Sequence, residues 1–106
     1  FQAVQFKIAD MATEVELARL ATYRAAMAYA GSSNSTSEVQ RLAAMAKLFA
    51  SETSKRAADQ AVQIHGGYGF IEDYPVARYW RDAKINEIGE GTSEIQRILI
   101  ARELGC

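Results

Sequence analysis

The chain has 106 residues, of which 49% are apolar and 24% are charged, and its formal net charge is -1 at pH 7. This length and composition are typical of one small globular domain. Lys and Arg are interspersed with Asp and Glu and form no basic stripe, so nucleic acid is not an expected partner. No apolar run is long enough to span a bilayer, and the single Cys106 excludes an internal disulfide framework and a cysteine-based metal site.

The first long helix is predicted over residues 1 to about 30, where apolar residues recur at helical spacing and no proline interrupts. Two rows carry this pattern: Val4, Ile8, Met11, Val15 and Ala18, then Leu20, Tyr23 and Met27. The helical pattern already runs at Phe1 without a preceding cap, so we expect a piece of a longer polypeptide. The polar segment "GSSNSTS" over residues 31–37 then predicts a loop, in which Ser35 and Glu38 have capping-box spacing.

A second long helix is predicted over residues 36 to about 65. Its apolar positions are Val39, Leu42, Ala46, Phe49, Thr53, Ala57, Ala61 and Ile64. The glycines of "HGGYGF" end it. A third helix is predicted over residues 75–86, with Pro75 in its first turn. After "GEG", Thr92 or Ser93 caps a fourth helix that runs to about residue 104, with Ser93 and Gln96 spaced as a capping box. The sequence therefore predicts an all-α, four-helix bundle of two long antiparallel helices and two shorter ones. In it, Met11, Met27 and Met45 are interpreted as core fillers.

Glu90 stands between two glycines, directly before the predicted fourth helix. One interpretation is an ordinary acid at the positive end of a helix. The other is a general base beside a polarised carbonyl, because Gly89 and Gly91 leave room for a ligand and unpaired backbone N–H groups lie close by.

The segment "QIHGGYGF", over residues 63–70, also allows two interpretations. Its glycines either end a helix in a tight turn or let the backbone approach a phosphate. It is not a dinucleotide-binding fingerprint, because no strand precedes it. His65, the only histidine, has no catalytic or metal-ligating partner at a meaningful spacing and is interpreted as a residue of the helix C-terminus.

The segment "YPVARYWRDAK" combines aromatic residues with Arg78 and Arg81, which together can stack nucleotides. The alternative is that Tyr79 and Trp80 pack a short helix on the bundle while the arginines face solvent or pair with nearby acids. Those acids are Asp73, Asp82 and Glu87.

The stretch "QIHGGYGFIEDYPVARYWRDAKINEIGEGTSEIQRILIAREL" closely resembles the C-terminal signature of the flavin-dependent acyl-CoA dehydrogenases. The upstream stretch "FQAVQFKIADMATEVELARLATYRAA" resembles the long helix that precedes it, so the resemblance covers essentially the whole chain. It implies a C-terminal helical domain that lacks the family's N-terminal helical domain and middle β-domain.

The resemblance also implies an activity. Glu90 would take the α-proton of an acyl-CoA thioester while the β-hydrogen leaves as hydride to FAD, giving a trans-2-enoyl-CoA, and the Glu90 backbone N–H would hold the thioester oxygen. Gly91 matches a substrate-contacting position. The positions that match FAD contacts are Gln2 on the first helix, the segment Gln63, Ile64, His65, Gly66 and Gly67, which would meet the FAD of a neighbouring subunit, and Thr92, Ser93 and Glu94.

The implied partners are an acyl-CoA substrate, an electron-transfer flavoprotein and further copies of the chain in a dimer or tetramer. The implied location is the cytoplasm of a bacterium or the mitochondrial matrix of a eukaryote. One departure from the family leaves the acyl chain open: medium-chain members often carry Tyr where this chain has Gly89. Two alternatives remain, namely a non-dehydrogenase flavoprotein of the same superfamily, or a helical assembly module without activity when the chain is isolated.

Overall fold

The computed structural model describes residues 1–32 and 35–106 and forms an all-α domain. The helices are α1 (Gln2–Ala30), α2 (Ser37–His65), α3 (Gly67–Phe70), α4 (Val76–Ala83) and α5 (Ser93–Glu103), with a 3₁₀ turn at Lys84–Glu87 before α5. No residue in the two described ranges lies in a β-strand, so the all-α prediction is confirmed. Ser33 and Asn34 of the predicted loop lie outside the described residues.

The two long helices run antiparallel, as predicted. Lys7 near the start of α1 hydrogen-bonds Gln60 near the end of α2. Further along α1 and earlier on α2, Arg56 Nε lies 3.1 Å from Glu14 Oε2. Each helix has 29 residues and is therefore about 44 Å long at about 1.5 Å per residue. This length accounts for the elongated domain, which extends 49 Å along its longest axis.

Helix α2 is the centre of the domain. Helix α1 packs along one side of it, and α4 and α5 pack along the rest. Trp80 of α4 donates from Nε1 to Asp59 Oδ1 at 3.0 Å, and Arg97 of α5 pairs with Glu52 at 2.7 Å. The predicted third helix is divided, because α4 ends at Ala83 and a 3₁₀ turn follows.

Threonine caps both α2 and α5. Thr36 Oγ1 accepts from the N–H of Val39, and Thr92 Oγ1 accepts from the N–H of Ile95, each at 3.2 Å. For α5 this confirms the first of the two predicted caps. Neither helix uses the predicted capping box, because in each case the cap lies one residue away from the register that the box requires.

The core consists mostly of small residues, since closely packed helices leave little space between them. The buried apolar residues are Ala18, Val39, Leu42, Ala44, Ala46, Val76 and Ala83. The predicted α2 stripe is buried or half-buried along its whole length. The prediction for Met27 is wrong: the residue is 76% exposed, because α1 packs mainly on α2 and turns its other faces outward. Large apolar side chains therefore remain exposed along α1, which is typical of an interaction surface.

The aromatic segment of α4 packs on the bundle. The Lys55 ammonium lies 3.7 Å from the centre of the Trp80 ring, which fixes the helix against α2. Arg81 pairs with Glu72 at 2.5 Å rather than with one of the three predicted acids, because the turn before α4 folds back over it. The packing interpretation is thus supported. Arg78 and Arg81 are both exposed, which is one of the two outcomes predicted for them, and the acid that pairs with Arg81 is not one of the three predicted partners.

Glycine ends α2 and allows α3 to fold back on it. Gly66 has φ 62° and ψ -139°, a conformation that glycine adopts most readily. At Gly69 an added Cβ would lie 2.5 Å from the Val62 carbonyl oxygen and 3.1 Å from His65 Cβ. Gly69 is therefore required for the close approach of α3 to the last turn of α2.

We expect Gly69→Ala to lower the free energy of unfolding by about 1–3 kcal/mol, because the added methyl group meets backbone that must shift. The matched control is Gly67→Ala, where an added Cβ meets nothing within 4 Å. Thermal unfolding followed by circular dichroism measures both variants. Equal midpoints for the two would show that α3 does not depend on this contact.

Candidate functional site

The segment between the 3₁₀ turn and α5, residues 88–92, holds the candidate acid and is called the Glu90 loop. Glu90 has φ 58° and is the non-glycine residue with positive φ in the described part of the chain. A side chain in this left-handed region costs about 1–2 kcal/mol per residue. Such strain persists only where neighbouring contacts hold it, and it clusters at functional sites.

Hydrogen bonds from three residues, Gln96, Lys47 and Gly89, hold the loop. Gln96, which is buried, points its Nε2 at the carbonyl oxygens of Glu90 (3.4 Å) and Gly91 (3.3 Å). Lys47 Nζ donates to the carbonyl oxygens of Asn86 (2.8 Å) and Gly91 (2.7 Å). The Gly89 N–H donates to the Ile85 carbonyl at 2.8 Å. The backbone on both sides of Glu90 is thus fixed from α2 and from α5.

Glu90 borders an open groove of about 590 Å³ between α2 and the loop. Glu90 is exposed and is one of the residues that line this groove. The other lining residues are Lys47, Ala50, Ser51, Ser54, Ile85, Asn86 and Gly89. An acidic residue, a lysine and several small residues therefore line one cleft.

Glycine has separate roles on the two sides of Glu90. Gly91 has φ 93°, and a Cβ there would lie 2.7 Å from Gln96 Nε2, so glycine is needed to keep the Gln96 contacts. Gly89 lines the groove, and a Cβ there would be 3.3 Å from the Ile85 carbonyl oxygen. The absence of a side chain at Gly89 therefore leaves the groove open beside the acid.

The Glu90 backbone N–H is available as a donor. Within residues 1–32 and 35–106, no acceptor receives a hydrogen bond from it. It adjoins the carboxylate of the same residue at the edge of the groove. The loop therefore offers an acceptor for a proton and a donor for an oxygen at one place.

The start of α5 favours negative charge. The pKa of Glu94 lies below its usual range, first because its own backbone N–H donates to the carboxylate and next because the Thr92 hydroxyl does so. The N–H groups of a first helical turn have no carbonyl partner in the helix and suit oxygen ligands. The Ser93 hydroxyl is buried and has no hydrogen-bond partner among the described residues.

The second predicted group of site residues, residues 63–67, lies at the last turn of α2 and the start of α3. His65 is exposed, and its Nδ1 donates to the Ala61 carbonyl at 2.8 Å, which confirms it as a residue of the helix C-terminus. Gly69 is explained by packing and Gly66 by its positive φ. Gly67 has neither explanation, since its added Cβ meets nothing within 4 Å. Its backbone is open to contact from outside the chain.

The structure does not bring the two groups together. Gln63 lies 16 residues beyond Lys47 on α2, which places it about 24 Å along the helix from the Glu90 loop. Gln2 begins α1 and is exposed, and the pairing of Lys7 with Gln60 places it at the end of the α1–α2 pair where residues 63–67 lie. The predicted residues thus form two separate surfaces, with Gln2 beside the second.

Two residues of the site were absent from the sequence prediction or had another role in it. Lys47 was not singled out, although it is a lone cation within the apolar run "AAMAKLFA". Gln96 was interpreted as part of a capping box but instead reaches the Glu90 loop. No cluster of His, Cys, Asp and Glu among the described residues could hold a metal ion, and no described helix is both long and apolar enough to cross a membrane.

The comparisons with known proteins agree on one family. A family model described as "Acyl-CoA dehydrogenase, C-terminal domain" matches residues 1–105. The chain is 57% identical to a probable acyl-CoA dehydrogenase, YngJ, of Bacillus subtilis, over 98% of the chain and 26% of that protein. It is 52% identical to the short-chain specific mitochondrial acyl-CoA dehydrogenase of Bos taurus, over 97% of the chain and 24% of that protein. The chain thus spans about a quarter of the length of these relatives.

Solved structures, one of them an acyl-CoA dehydrogenase, share this fold over nearly the whole chain. Butyryl-CoA dehydrogenase from Megasphaera elsdenii superposes with a TM-score of 0.89 at 44% identity, over 100% of this chain and 27% of that one. A structure described as an electron-transferring flavoprotein of Acidaminococcus fermentans superposes at 0.88 with 50% identity, over 98% and 26%. A structure described as the FAD complex of PigA superposes at 0.91 with 31% identity, over 99% and 26%.

Proposed function

The chain belongs to the acyl-CoA dehydrogenase family, as a C-terminal domain, and we propose that it supplies the catalytic base of an FAD-dependent enzyme. The proposed reaction oxidises an acyl-CoA thioester to a trans-2-enoyl-CoA. Because the chain spans about a quarter of its relatives' length, the active protein is taken to be a longer polypeptide that carries this domain.

The observation that carries the proposal is the strained backbone of Glu90 at the edge of the groove. A surface acid of no function would relax out of the left-handed region or be replaced by glycine at little cost. Here Lys47 and Gln96 hold the strained loop from two sides. The strain is therefore best explained as the requirement for placing a carboxylate at this point.

In the proposed reaction Glu90 accepts the α-proton of the thioester through its carboxylate. The unpaired backbone N–H of the same residue donates to the thioester oxygen, which stabilises the negative charge that develops there. The α-carbon and its carbonyl are bonded neighbours in the substrate, so one residue can serve both atoms. FAD, when bound, supplies the acceptor for the hydride that leaves the β-carbon.

The chain's own residues fit FAD at two places. Thr92, Ser93 and Glu94 begin α5, whose positive end suits ribityl and phosphate oxygens, while the Glu94 carboxylate suits ribityl hydroxyls. The open backbone of Gly67 suits contact with a nucleotide. The separation of about 24 Å along α2 supports the assignment of the second surface, residues 63–67 with Gln2, to the FAD of a neighbouring subunit.

The proposal covers short, branched and other acyl-CoA substrates. Gly89 lines the groove beside Glu90, so a side chain there would reduce the volume next to the reacting carbons. Gly91, which follows Glu90 in the chain, is the proposed substrate-contacting position. The similarity to a short-chain enzyme supports the short class.

The proposed partners are an electron-transfer flavoprotein, which would reoxidise the flavin, and further copies of the chain. The similarity to a chain in a structure described as an electron-transferring flavoprotein supports the first. The exposed apolar side chains of α1 support a dimer or tetramer. The proposed location is the bacterial cytoplasm or the mitochondrial matrix, depending on the source.

A second candidate function is a helical assembly module without activity of its own. The many exposed apolar residues favour it for the isolated chain. A third candidate function is that of a non-dehydrogenase flavoprotein of the same superfamily. Such a protein would use the same cofactor as an acyl-CoA dehydrogenase but catalyse a different reaction.

The test begins with the colour of two preparations, the isolated chain and the complete polypeptide that carries it. We expect the isolated chain to be colourless and the complete polypeptide to be yellow. Anaerobic addition of short-chain, branched and medium-chain acyl-CoA thioesters to the yellow protein should then bleach the flavin and yield 2-enoyl-CoA. A yellow protein that no acyl-CoA bleaches would favour a non-dehydrogenase flavoprotein, and a complete polypeptide without flavin would favour the assembly module.

A further inference from the structure

We propose that Lys47 is a positioning residue for Glu90, which it serves by tying together the two ends of the strained loop. This inference rests on the proposed role of Glu90 as the base. Lys47 lies on the central helix α2 and would touch neither the reacting carbons nor the flavin through the contacts described. It acts through the backbone that carries the base.

The geometry of Lys47 is that of a bridge. Its Nζ donates to the Asn86 carbonyl, four residues before Glu90, at 2.8 Å, and to the Gly91 carbonyl, one residue after it, at 2.7 Å. These distances are typical of short, charge-assisted hydrogen bonds. One ammonium group thus sets the distance between the chain entering the Glu90 loop and the chain leaving it.

The alternatives to Lys47 as the main anchor are weaker. Gln96 approaches the Glu90 and Gly91 carbonyls at 3.4 and 3.3 Å, both near the limit for a hydrogen bond, and it belongs to the helix that follows the loop. The Asn86 side chain donates to Ser54 Oγ at 3.3 Å and so holds only the segment before Glu90. Among these residues, only Lys47 joins both the segment before Glu90 and the segment after it to a helix that is not adjacent to the loop in the chain.

The charge of Lys47 has no carboxylate partner among the described residues. A lysine on a surface helix ordinarily extends into water, because ordering its long side chain costs entropy. Here the side chain is half-buried and its donors are committed to backbone carbonyls. The Lys47 side chain is therefore ordered although it gains no ion pair. This is explained if its role is to hold the Glu90 loop in one conformation.

Loss of the bridge should affect the reaction more than binding. If Lys47 is removed, the loop can relax and the carboxylate moves relative to the α-proton, and a displacement of about 1 Å lowers a rate by roughly 100-fold. Lys47 is one of the eight residues that line the groove and is not among the proposed FAD contacts, so KM and flavin content should change little. A purely structural lysine would instead lower the unfolding temperature while leaving kcat per bound flavin unchanged.

The experiment uses the complete flavoprotein with Lys47→Met, which keeps an unbranched stem and removes the donors. The matched control is Lys55→Met on the same helix, whose ammonium contacts Trp80 and not the loop. We expect Lys47→Met to lower kcat per bound flavin by about 10- to 100-fold. KM should stay within about threefold, exchange of the substrate α-proton into D₂O should slow by the same factor as kcat, and Lys55→Met should match the parent enzyme.

Glu90→Gln, measured in parallel, separates two kinds of failure. If Glu90→Gln abolishes α-proton exchange while Lys47→Met matches the parent, the positioning role is wrong and the base stands. If Glu90→Gln keeps its exchange rate, the proposed function itself fails. If Lys47→Met does not fold, Lys47→Gln replaces it, since its amide can donate but is one bond shorter. A folded Lys47→Gln with lowered kcat supports the proposal, whereas parental kcat, or failure of both variants to fold, overturns it.

Discussion

Glu90→Gln in the complete flavoprotein is expected to keep the flavin and to lower substrate-dependent flavin reduction by about 10²–10⁴-fold. Glutamine has nearly the shape of glutamate but accepts no proton at neutral pH. It keeps the same backbone strain and the same groove, so folding and flavin content should match those of the parent protein. Anaerobic stopped-flow measurement of flavin bleaching by an acyl-CoA gives the rate.

The control for this prediction is Glu87→Gln, which makes the same change of charge three residues earlier. Glu87 pairs with Lys84 outside the groove, so its variant should reduce the flavin at the parental rate. A Glu90→Gln protein that still turns over at near-normal speed would refute the assignment of the base. An equal loss in both variants would point to a general electrostatic effect instead.

Gly67→Val is expected to release flavin and to loosen the oligomer together, with at least a tenfold weaker affinity for FAD. An added Cβ at Gly67 meets nothing within 4 Å in the described part of the chain, so we expect the fold itself to tolerate the substitution. A nucleotide or a neighbouring subunit that approaches this backbone would collide with the valine. A contact energy of about 1.4 kcal/mol already corresponds to the tenfold change.

A graded series makes this second prediction sharper. Gly67→Ala should weaken FAD less than Gly67→Val, because the added volume is smaller, while the helix content of both variants stays parental. Flavin content after gel filtration and the mass by light scattering measure the two effects in one experiment. Full retention of flavin and of the oligomer in Gly67→Val would argue against a nucleotide site shared between subunits.

The sequence was most informative where the chemistry is local. Helical spacing and the glycines at residues 66 and 67 predicted α1 and α2 to within a residue or two, because periodicity and helix ends depend on neighbours in the chain. The sequence did not determine the register of the caps, since adjacent Ser and Thr residues can each accept from a first-turn N–H. In both helices the structure selects the threonine.

The sequence could not predict contacts between distant residues. Nothing in the residues around Lys47 indicates Asn86 and Gly91 as acceptors, because these are backbone carbonyls that any residue would offer. The same reason explains the Met27 error. Helical spacing shows that a residue lies on an apolar face, but the packing of α1, which is mainly on α2, decides that this face stays exposed.

For the candidate site, the sequence by itself determined which groups are present: a carboxylate between glycines, a threonine that caps the next helix and a glycine-rich turn at the end of α2. These features are encoded within a few residues of one another. The tertiary structure decided the conformation of those groups and the residues that surround them, because Lys47 and Gln96, from two other helices, maintain the left-handed backbone of Glu90. It also separated residues 63–67 from the Glu90 loop along α2, since the length of a rigid helix keeps its two ends apart.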